Sequence, residues 1–476
     1  MELYHLPMPT RPFSPAVQTS PGNALPRGTS PDLYSVTPYM EDCLDRAEAR
    51  RCFIANESQS QVTWTDVDAG DQVTVRTLRS LAELRGYRSL HSLGENALRI
   101  ISINQNHSWK PLNATRNMFE EVVDIVGASS DLLQLPLSFF RKANAVEESF
   151  SSAPIFRVNA DSLEIIYMAK YAFHKLSEDE GKDPWVLRHT GVYQKYDFTT
   201  KNSTWVFLHP TAECQFQRRL MRFLQSPNQR ACLHRNPLII HSILFGTVLP
   251  VWRDYLKSLE ERVLRIANMA VAAEMDTESH LDHASLSTVR TALSNVRTTG
   301  NRCLVLQPIF WSLDKSFDVL HQANAALSVA SITPQYESQA MRQLLHNSSA
   351  SMKSYRQAAS SLQDRASRCA EYITDTLSYK DATVAKRQAE FMLRDSTSVR
   401  VITFVTLIYL PSTFTATLLG MNSFFEMDDN RRVIVAPQFW IYMACSIPLT
   451  VATLGYWWYF QKGKQRAKKS TDALMV

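Results

Sequence analysis

Ile408-Tyr-Leu-Pro-Ser-Thr-Phe-Thr-Ala-Thr-Leu-Leu-Gly-Met-Asn422 belongs to the first of two charge-free runs near the C-terminus of this 476-residue chain. Residues 401–425 carry no charged side chain, and neither do residues 433–461. A bilayer core needs about 20 apolar residues in a helix, so each run is long enough to span one. Gly420-Met421-Asn422 stands at the end of the first run, with a short polar turn before the second. Alone, the tripeptide reads as a helix stop, because Gly and Asn are common there.

The flanks set the expected orientation. Lys386, Arg387, Arg394 and Arg400 precede the first run, and Lys462, Lys464, Arg466, Lys468 and Lys469 follow the second. The turn between them, Glu426 to Arg432, holds three acids and two bases. Lys and Arg accumulate on the cytoplasmic side, so both termini are expected there and the turn outside. Trp440, Tyr442 and Tyr456 to Tyr459 lie near the ends of the second run, as an aromatic belt would.

Upstream, Gln335 to Leu410 contains neither Pro nor Gly. A continuous helix there would extend roughly 110 Å. Met341, Leu345, Ser348, Met352, Tyr355, Ala359, Leu362, Ala366, Cys369, Ile373 and Thr376 recur at alternating four and three. That is a heptad seam. Its Ala and Ser content suits close packing of several helices, or packing against the helices predicted at 301–330. No breaker separates the seam from the first apolar run, so stalk and span are expected to be one helix.

The rest reads as water-soluble. Mean hydropathy is slightly negative. A net charge of +5 is modest for this length and gives no basic stripe for nucleic acid. Seven scattered cysteines, at 43, 52, 214, 232, 303, 369 and 445, form no C-x-x-C pair and indicate a reducing compartment. The five N-x-[ST] sequons are read as chance, since the topology puts them in the cytosol. Residues 1–38 hold eight prolines and no apolar run, so a disordered tail without a signal peptide is expected.

Residues 40–235 read as a mixed α/β domain. Leu98–Ile103, Ile155-Phe156, Leu163–Met168, Trp185–Leu187, Val192–Phe198 and Thr204–Leu208 are strand candidates, the last two forming a hairpin. Residues 114–126 read as an amphipathic helix stopped by Gly127. Residues 236–252 are also charge-free, but the run is short and contains Pro237, His241, Gly246 and Pro250. A buried helix is the better reading than a span. An acidic stretch, 274–283, includes His280 and His283 and reads as a solvated loop rather than a metal site.

With this context, the Leu-Pro-x-Thr-Phe stretch, the Gly-Met-Asn and Phe439-Trp-Ile-Tyr resemble the CorA family of divalent-cation channels and transporters, with its zinc-transporting ZntB branch and divergent fungal members. The resemblance is specific over about 385–460. It implies an α+β membrane protein with an N-terminal cytoplasmic α/β domain and a long helical coiled-coil stalk continuous with the first of two C-terminal transmembrane helices. The expected layout is a Pro-rich tail (1–38), the α/β domain (39–235), the stalk (236–400), transmembrane helix 1 (401–422), an external loop (423–437), transmembrane helix 2 (438–460) and a basic cytoplasmic tail (461–476).

The resemblance further implies a homopentamer with the first spans around a pore, and Gly420, Met421 and Asn422 as its selectivity motif. Five Asn422 amides would hold the ion through its waters, because Mg²⁺ loses them reluctantly. Thr406, Leu410, Thr413 and Thr417 share a helix face by spacing. The resemblance makes Thr413 a pore-facing hydroxyl ring, and places an apolar gate at Val399, Ile402 and Leu410 that can dewet. The threonines could instead bond other helices or their own preceding turn. Pro411 is expected to kink the helix. Glu426, Asp428 and Asp429 would concentrate cations at the outer mouth. That loop lacks the Pro and Glu that commonly follow the motif, and Ser423 stands where an aromatic often does, so the motif does not fix the ion.

The expected function is divalent-cation transport, Mg²⁺ first, across the plasma membrane or an organelle membrane. The expected partners are the chain itself and the lipid bilayer, with no cofactor. A ZntB-like zinc transporter is one alternative. A non-conducting scaffold that keeps the fold is another. No P-loop, G-x-S-x-G, H-E-x-x-H or Rossmann fingerprint points to an enzyme.

Overall fold

A computed structural model describes residues 40–472, apart from 69, 71, 91–92, 143–148, 176–182, 276–282, 421–424, 428–432 and 436–438. The expectations for the 1–38 tail, Met421, Asn422, Asp428, Asp429 and His280 therefore lie outside the described residues. Packing divides the chain into two compact units, Met1–Ala267 with Asn295–Ser367, and Asn268–Ser294 with Arg368–Val476.

The first unit is built on a seven-stranded sheet among the described residues. Its strands are β1 (Val62–Val67), β2 (Val73–Leu78), β3 (Leu98–Asn104), β4 (Ile155–Val158), β5 (Ser162–His174), β6 (Trp185–Asp197) and β7 (Ser203–His209), in the order β2-β1-β3-β7-β6-β5-β4. Only β3 and β7 run parallel; the other neighbours are antiparallel. Every residue of β3 is buried, as its unbroken Leu-Arg-Ile-Ile-Ser-Ile run requires of a strand covered on both faces.

Helices α1 (Met40–Ala49), α2 (Leu81–Leu90) and α3 (Arg116–Val126) supply one covering layer. Thr115 accepts from the Met118 N–H to start α3, and Gly127 ends it at φ +57°. Ile101 and Ile103 of β3 pack with Met118, Phe119 and Val122. The opposite face meets α4 (Gln215–Gln225), α5 (Pro227–Arg235) and α6 (Ile239–Val248). There Phe207 meets Phe216, and Tyr167 stacks on Phe245.

Two sequence expectations change in this unit. The segments at 185–187 and 192–198 are one strand, β6. Its polar middle, Arg188-His189-Thr190-Gly191, hid the continuity. His189 and Thr190 are nonetheless buried. Strands β1 and β2 interleave Thr, Asp and Arg with their apolar residues and gave no apolar run to read. The 236–252 segment is the buried helix α6, followed after Pro250 by α7 (Val251–Met275).

Two very long helices follow, α8 (His283–Val329) and α9 (Gln335–Leu419, 85 residues). Within the first unit they form an antiparallel hairpin. The Asn324 side-chain amide donates to Ser338 O at 2.9 Å, and Ser349 donates to Asp314 at 2.5 Å. Phe310 faces Tyr355 further along. The seam residues Met341, Leu345, Met352, Ala359, Leu362 and Ala366 are buried. In this unit the seam packs on the chain's own α8.

Its small residues have a steric reason. A Cβ at Gly300 would lie 3.5 Å from the Ala366 Cβ, an ordinary contact. Gly300→Ala is therefore expected to stabilise by about 0.5–1 kcal/mol through helix propensity. Ala366→Leu has no such room and is expected to cost about 1–3 kcal/mol. Denaturant unfolding of the purified protein distinguishes the two. Equal effects would mean that the helices separate at this point.

In the second unit, α9 ends and α10 (Phe439–Asp472) begins, with a two-stranded ribbon of β8 (Phe425–Met427) and β9 (Val433–Val435) between them in sequence. Val401–Leu418 and Phe439–Tyr459 are long and apolar enough to cross a bilayer.

Candidate functional site

The end of α9 is an uninterrupted helix through Pro411. Pro411 has no N–H, so one backbone bond is missing there. The hydroxyls that follow bond neighbouring carbonyls of the same turns. Ser412 donates to Ile408 O, and Thr415 donates to Pro411 O at 2.8 Å.

One side of this segment belongs to α10. Phe404 tilts against Trp457, and the Tyr442 hydroxyl reaches Ser412 O at 3.4 Å. Pro411, Thr415 and, on α10, Ser446 are buried. A cavity of about 450 Å³ opens beside this contact, lined by Leu407, Ala452 and Trp457 among others.

At 3.6 residues per turn, Val399, Ile402, Thr406, Leu410, Thr413 and Thr417 fall on the side turned away from α10. All six are exposed, Ile402 by 65% and Leu410 by 61%. The four residues read as one face from spacing, Thr406, Leu410, Thr413 and Thr417, thus share an exposed face with Val399 and Ile402, which the resemblance adds. Its upper end meets Gly420, which closes α9 at φ +68° with open space around it. A left-handed residue at that point is what glycine accommodates without strain.

The threonines do what their alternative reading allowed. Thr406 donates to Ile402 O at 2.7 Å, Thr413 to Tyr409 O at 2.9 Å, and Thr417 to Thr413 O at 2.6 Å. This does not remove them from the surface. A hydroxyl has one proton and two lone pairs. With the proton committed to the preceding turn, each oxygen offers only acceptor capacity. Such a stripe suits a cation, or water that itself coordinates a cation.

Glu426 lies on β8, while Asn422, Asp428 and Asp429 lie outside the described residues. No group of three metal-ligating side chains occurs among the described residues, and none of the seven cysteines is in a disulfide. Sequence reasoning did not assign Ser412, Thr415, Tyr442 and Ser446 to the α9–α10 contact. Their one signal was the small, hydroxyl-bearing side opposite the stripe.

Comparison with known proteins settles the family. The CorA-like transporters match residues 18–271. The chain belongs to the CorA-like transporters. This family comprises channels and transporters, so this CorA-like protein is not an enzyme. Its matched region is the tail, the α/β unit and the start of the helices, which complements the C-terminal residues that first pointed to the family. Notoamide biosynthesis cluster protein M′ of Aspergillus versicolor is 41% identical over 58 residues, 12% of this chain and 13% of that protein. The match thus spans only a small part of that relative's length. Among solved structures, full-length CmaX is 14% identical with a TM-score of 0.32, over 86% of this chain and 99% of that one. The ZntB cytoplasmic domain from Vibrio parahaemolyticus is 9% identical with a TM-score of 0.33, over 65% of this chain and 97% of that one.

Proposed function

We propose that this CorA-like transporter conducts hydrated divalent cations, Mg²⁺ foremost, through a homopentamer whose five α9 helices line the pore. The observation that carries this reading is the free stripe on α9. It combines exposed aliphatics with acceptor-only hydroxyls, faces away from α10 and ends at Gly420. Exposed aliphatics on a membrane helix could face lipid, but lipid gives no reason for threonines at three positions of the same stripe.

In this reading Val401–Leu418 and Phe439–Tyr459 cross the membrane, with both termini cytoplasmic. Residues 39–235 form a cytoplasmic domain, and 236–400 form the stalk leading to the pore. Asn422 rings the outer end and binds the ion through its water shell. Thr417, Thr413 and Thr406 hand the hydrated ion inward through their oxygens. Leu410, Ile402 and Val399 form the constriction that dries when the pore is closed. Glu426, Asp428 and Asp429 raise the local cation concentration outside.

Flux across proteoliposomes tests it, using Mg²⁺, Zn²⁺, Co²⁺ and Ni²⁺ with and without a pH gradient. Saturable passage of Mg²⁺ is expected. Passage of Zn²⁺ alone, driven by a proton gradient, would replace the ion. No passage of any cation by intact pentamers would leave the scaffold reading. Thr413→Val keeps the shape and removes the oxygen, so flux is expected to fall on the order of tenfold, one charge-assisted contact's worth. Thr413→Ser should retain most of it. Equal flux in the valine variant would show that the stripe does not face the ion.

A further inference from the structure

The first unit holds a second polar feature, remote in sequence from the α9 stripe. A cavity of about 170 Å³ lies where the connecting end of the β5–β6 hairpin meets α4 and α6. Tyr171, Phe173, Arg188, Cys214, Phe216 and Thr247 line it. No Asp or Glu is among the described residues that line it.

Arg188 sits opposite Tyr171 in the β5–β6 register, and its guanidinium lies 3.7 Å from the centre of the Phe173 ring. The side chain is half-buried, and its Nε is buried with no hydrogen-bond partner among the described residues. No described carboxylate forms an ion pair with it. Its neighbours Tyr171 and Cys214 are both held protonated by burial. Burial likewise pulls the guanidinium's own pKa down.

A cation taken partly out of water is costly unless it is paired. The Phe173 ring recovers part of that. The remainder calls for an anion. The surroundings favour one. Helix α4 opens at the rim, with Cys214 at its N-cap and the helix dipole's positive end beside it. A second guanidinium, that of Arg219, bonds Gly246 O at 3.0 Å and the lining Thr247 hydroxyl at 3.2 Å. The cavity is smaller than the roughly 300 Å³ of an ordinary ligand pocket, so it admits a small group. Arg is the side chain whose planar fork matches an oxyanion.

We propose that this cavity binds a small oxyanion, either inorganic phosphate or the phosphoryl group of a larger metabolite whose remainder stays outside. Arg188 is the anchor, the start of α4 adds its field, and Phe173 holds the guanidinium flat. Such a site gives this CorA-like transporter a soluble ligand other than the cation it carries. The claim stands or falls on binding, independently of whether the pore conducts.

Isothermal titration on the full-length protein in nanodiscs tests it, with sodium phosphate and with AMP, each against sodium chloride at equal ionic strength. Wild type is expected to bind one of the two with about millimolar affinity or better. Arg188→Gln should weaken binding at least about tenfold, the loss expected for a charge-assisted bond. Arg188→Lys, which keeps the charge and guards against misfolding as the explanation, should lie between. AMP binding without phosphate binding identifies the phosphoryl group of a larger molecule. No binding of either, or unchanged binding in Arg188→Gln, overturns the proposal. So does binding that appears only in the Glu178→Gln, Asp179→Asn, Glu180→Gln variant, because the anion would then be the chain's own hairpin.

Discussion

Asn422→Ala is expected to abolish divalent-cation flux in proteoliposomes and leave pentamer assembly unchanged. The reason is the ion's hydration. Mg²⁺ exchanges its waters reluctantly, so the first protein group it meets must bond to those waters rather than replace them. An amide oxygen does this without holding the ion as firmly as a carboxylate, which conduction requires. Alanine leaves no acceptor at five equivalent points of one ring. Assembly should survive, because the substitution shortens one side chain beyond the end of α9 at Leu419 and leaves the faces of that helix unchanged. Chemical cross-linking of the variant reports assembly, and a Mg²⁺-sensitive dye inside the vesicles reports flux. Wild-type flux in the variant would remove Asn422 from the pore. Lost flux together with lost pentamer would make it a structural residue.

The second large effect concerns stability. His241 is completely enclosed between Tyr167, Gln194 and Trp205. Its Nε2 lies 2.8 Å from Gln194 Oε1, an acceptor, so Nε2 carries the proton. Its Nδ1 lies 2.8 Å from the Tyr167 hydroxyl and must accept. One neutral tautomer satisfies both bonds, and burial pushes its pKa down to about 3, which keeps it neutral. Gln194 then bonds onward to Pro237 O and fixes the entry to α6. His241→Ala strands two buried polar groups, each at about 1–3 kcal/mol, and opens a cavity. A loss of roughly 4 kcal/mol or more is expected, a large share of an ordinary domain's 5–15 kcal/mol. Urea unfolding of the full-length protein measures it. His241→Gln should recover part of the loss by restoring one bond. A loss under about 1 kcal/mol for alanine would show that water replaces the imidazole without penalty.

Some of this was legible without coordinates, for identifiable reasons. Strand β3 has an unbroken branched run because it is covered on both faces. Helix α3 carries its start at Thr115 and its stop at Gly127. The two apolar helices are marked by the absence of charge. The shared face of Thr406, Leu410, Thr413 and Thr417 on α9 follows from spacing. What was hidden depends on partners distant in sequence. The polar centre of β6 reads as a break until Phe173 is seen beneath Arg188 and a buried environment around His189. The heptad seam does not say what it packs on, since small residues suit any close neighbour; α8 of the same chain provides that neighbour in the first unit. Likewise, Ser412 and Thr415 look no different in sequence from Thr413. Only the position of α10 separates the covered hydroxyls from the free ones.

Gly420 ends α9 at a definite point, and that has an electrostatic consequence. The last four carbonyls of an α-helix have no intrahelical partner. In α9 these belong to residues 416–419, immediately below the Gly-Met-Asn. They form the negative pole of the helix, equivalent to about half an elementary charge. In the pentamer proposed above, five such poles converge on one opening. An arriving cation would then be drawn by main-chain oxygens as well as by side chains. A substitution that let the helix run on past residue 420 would carry that attraction away from the axis, even with every pore-lining side chain left in place.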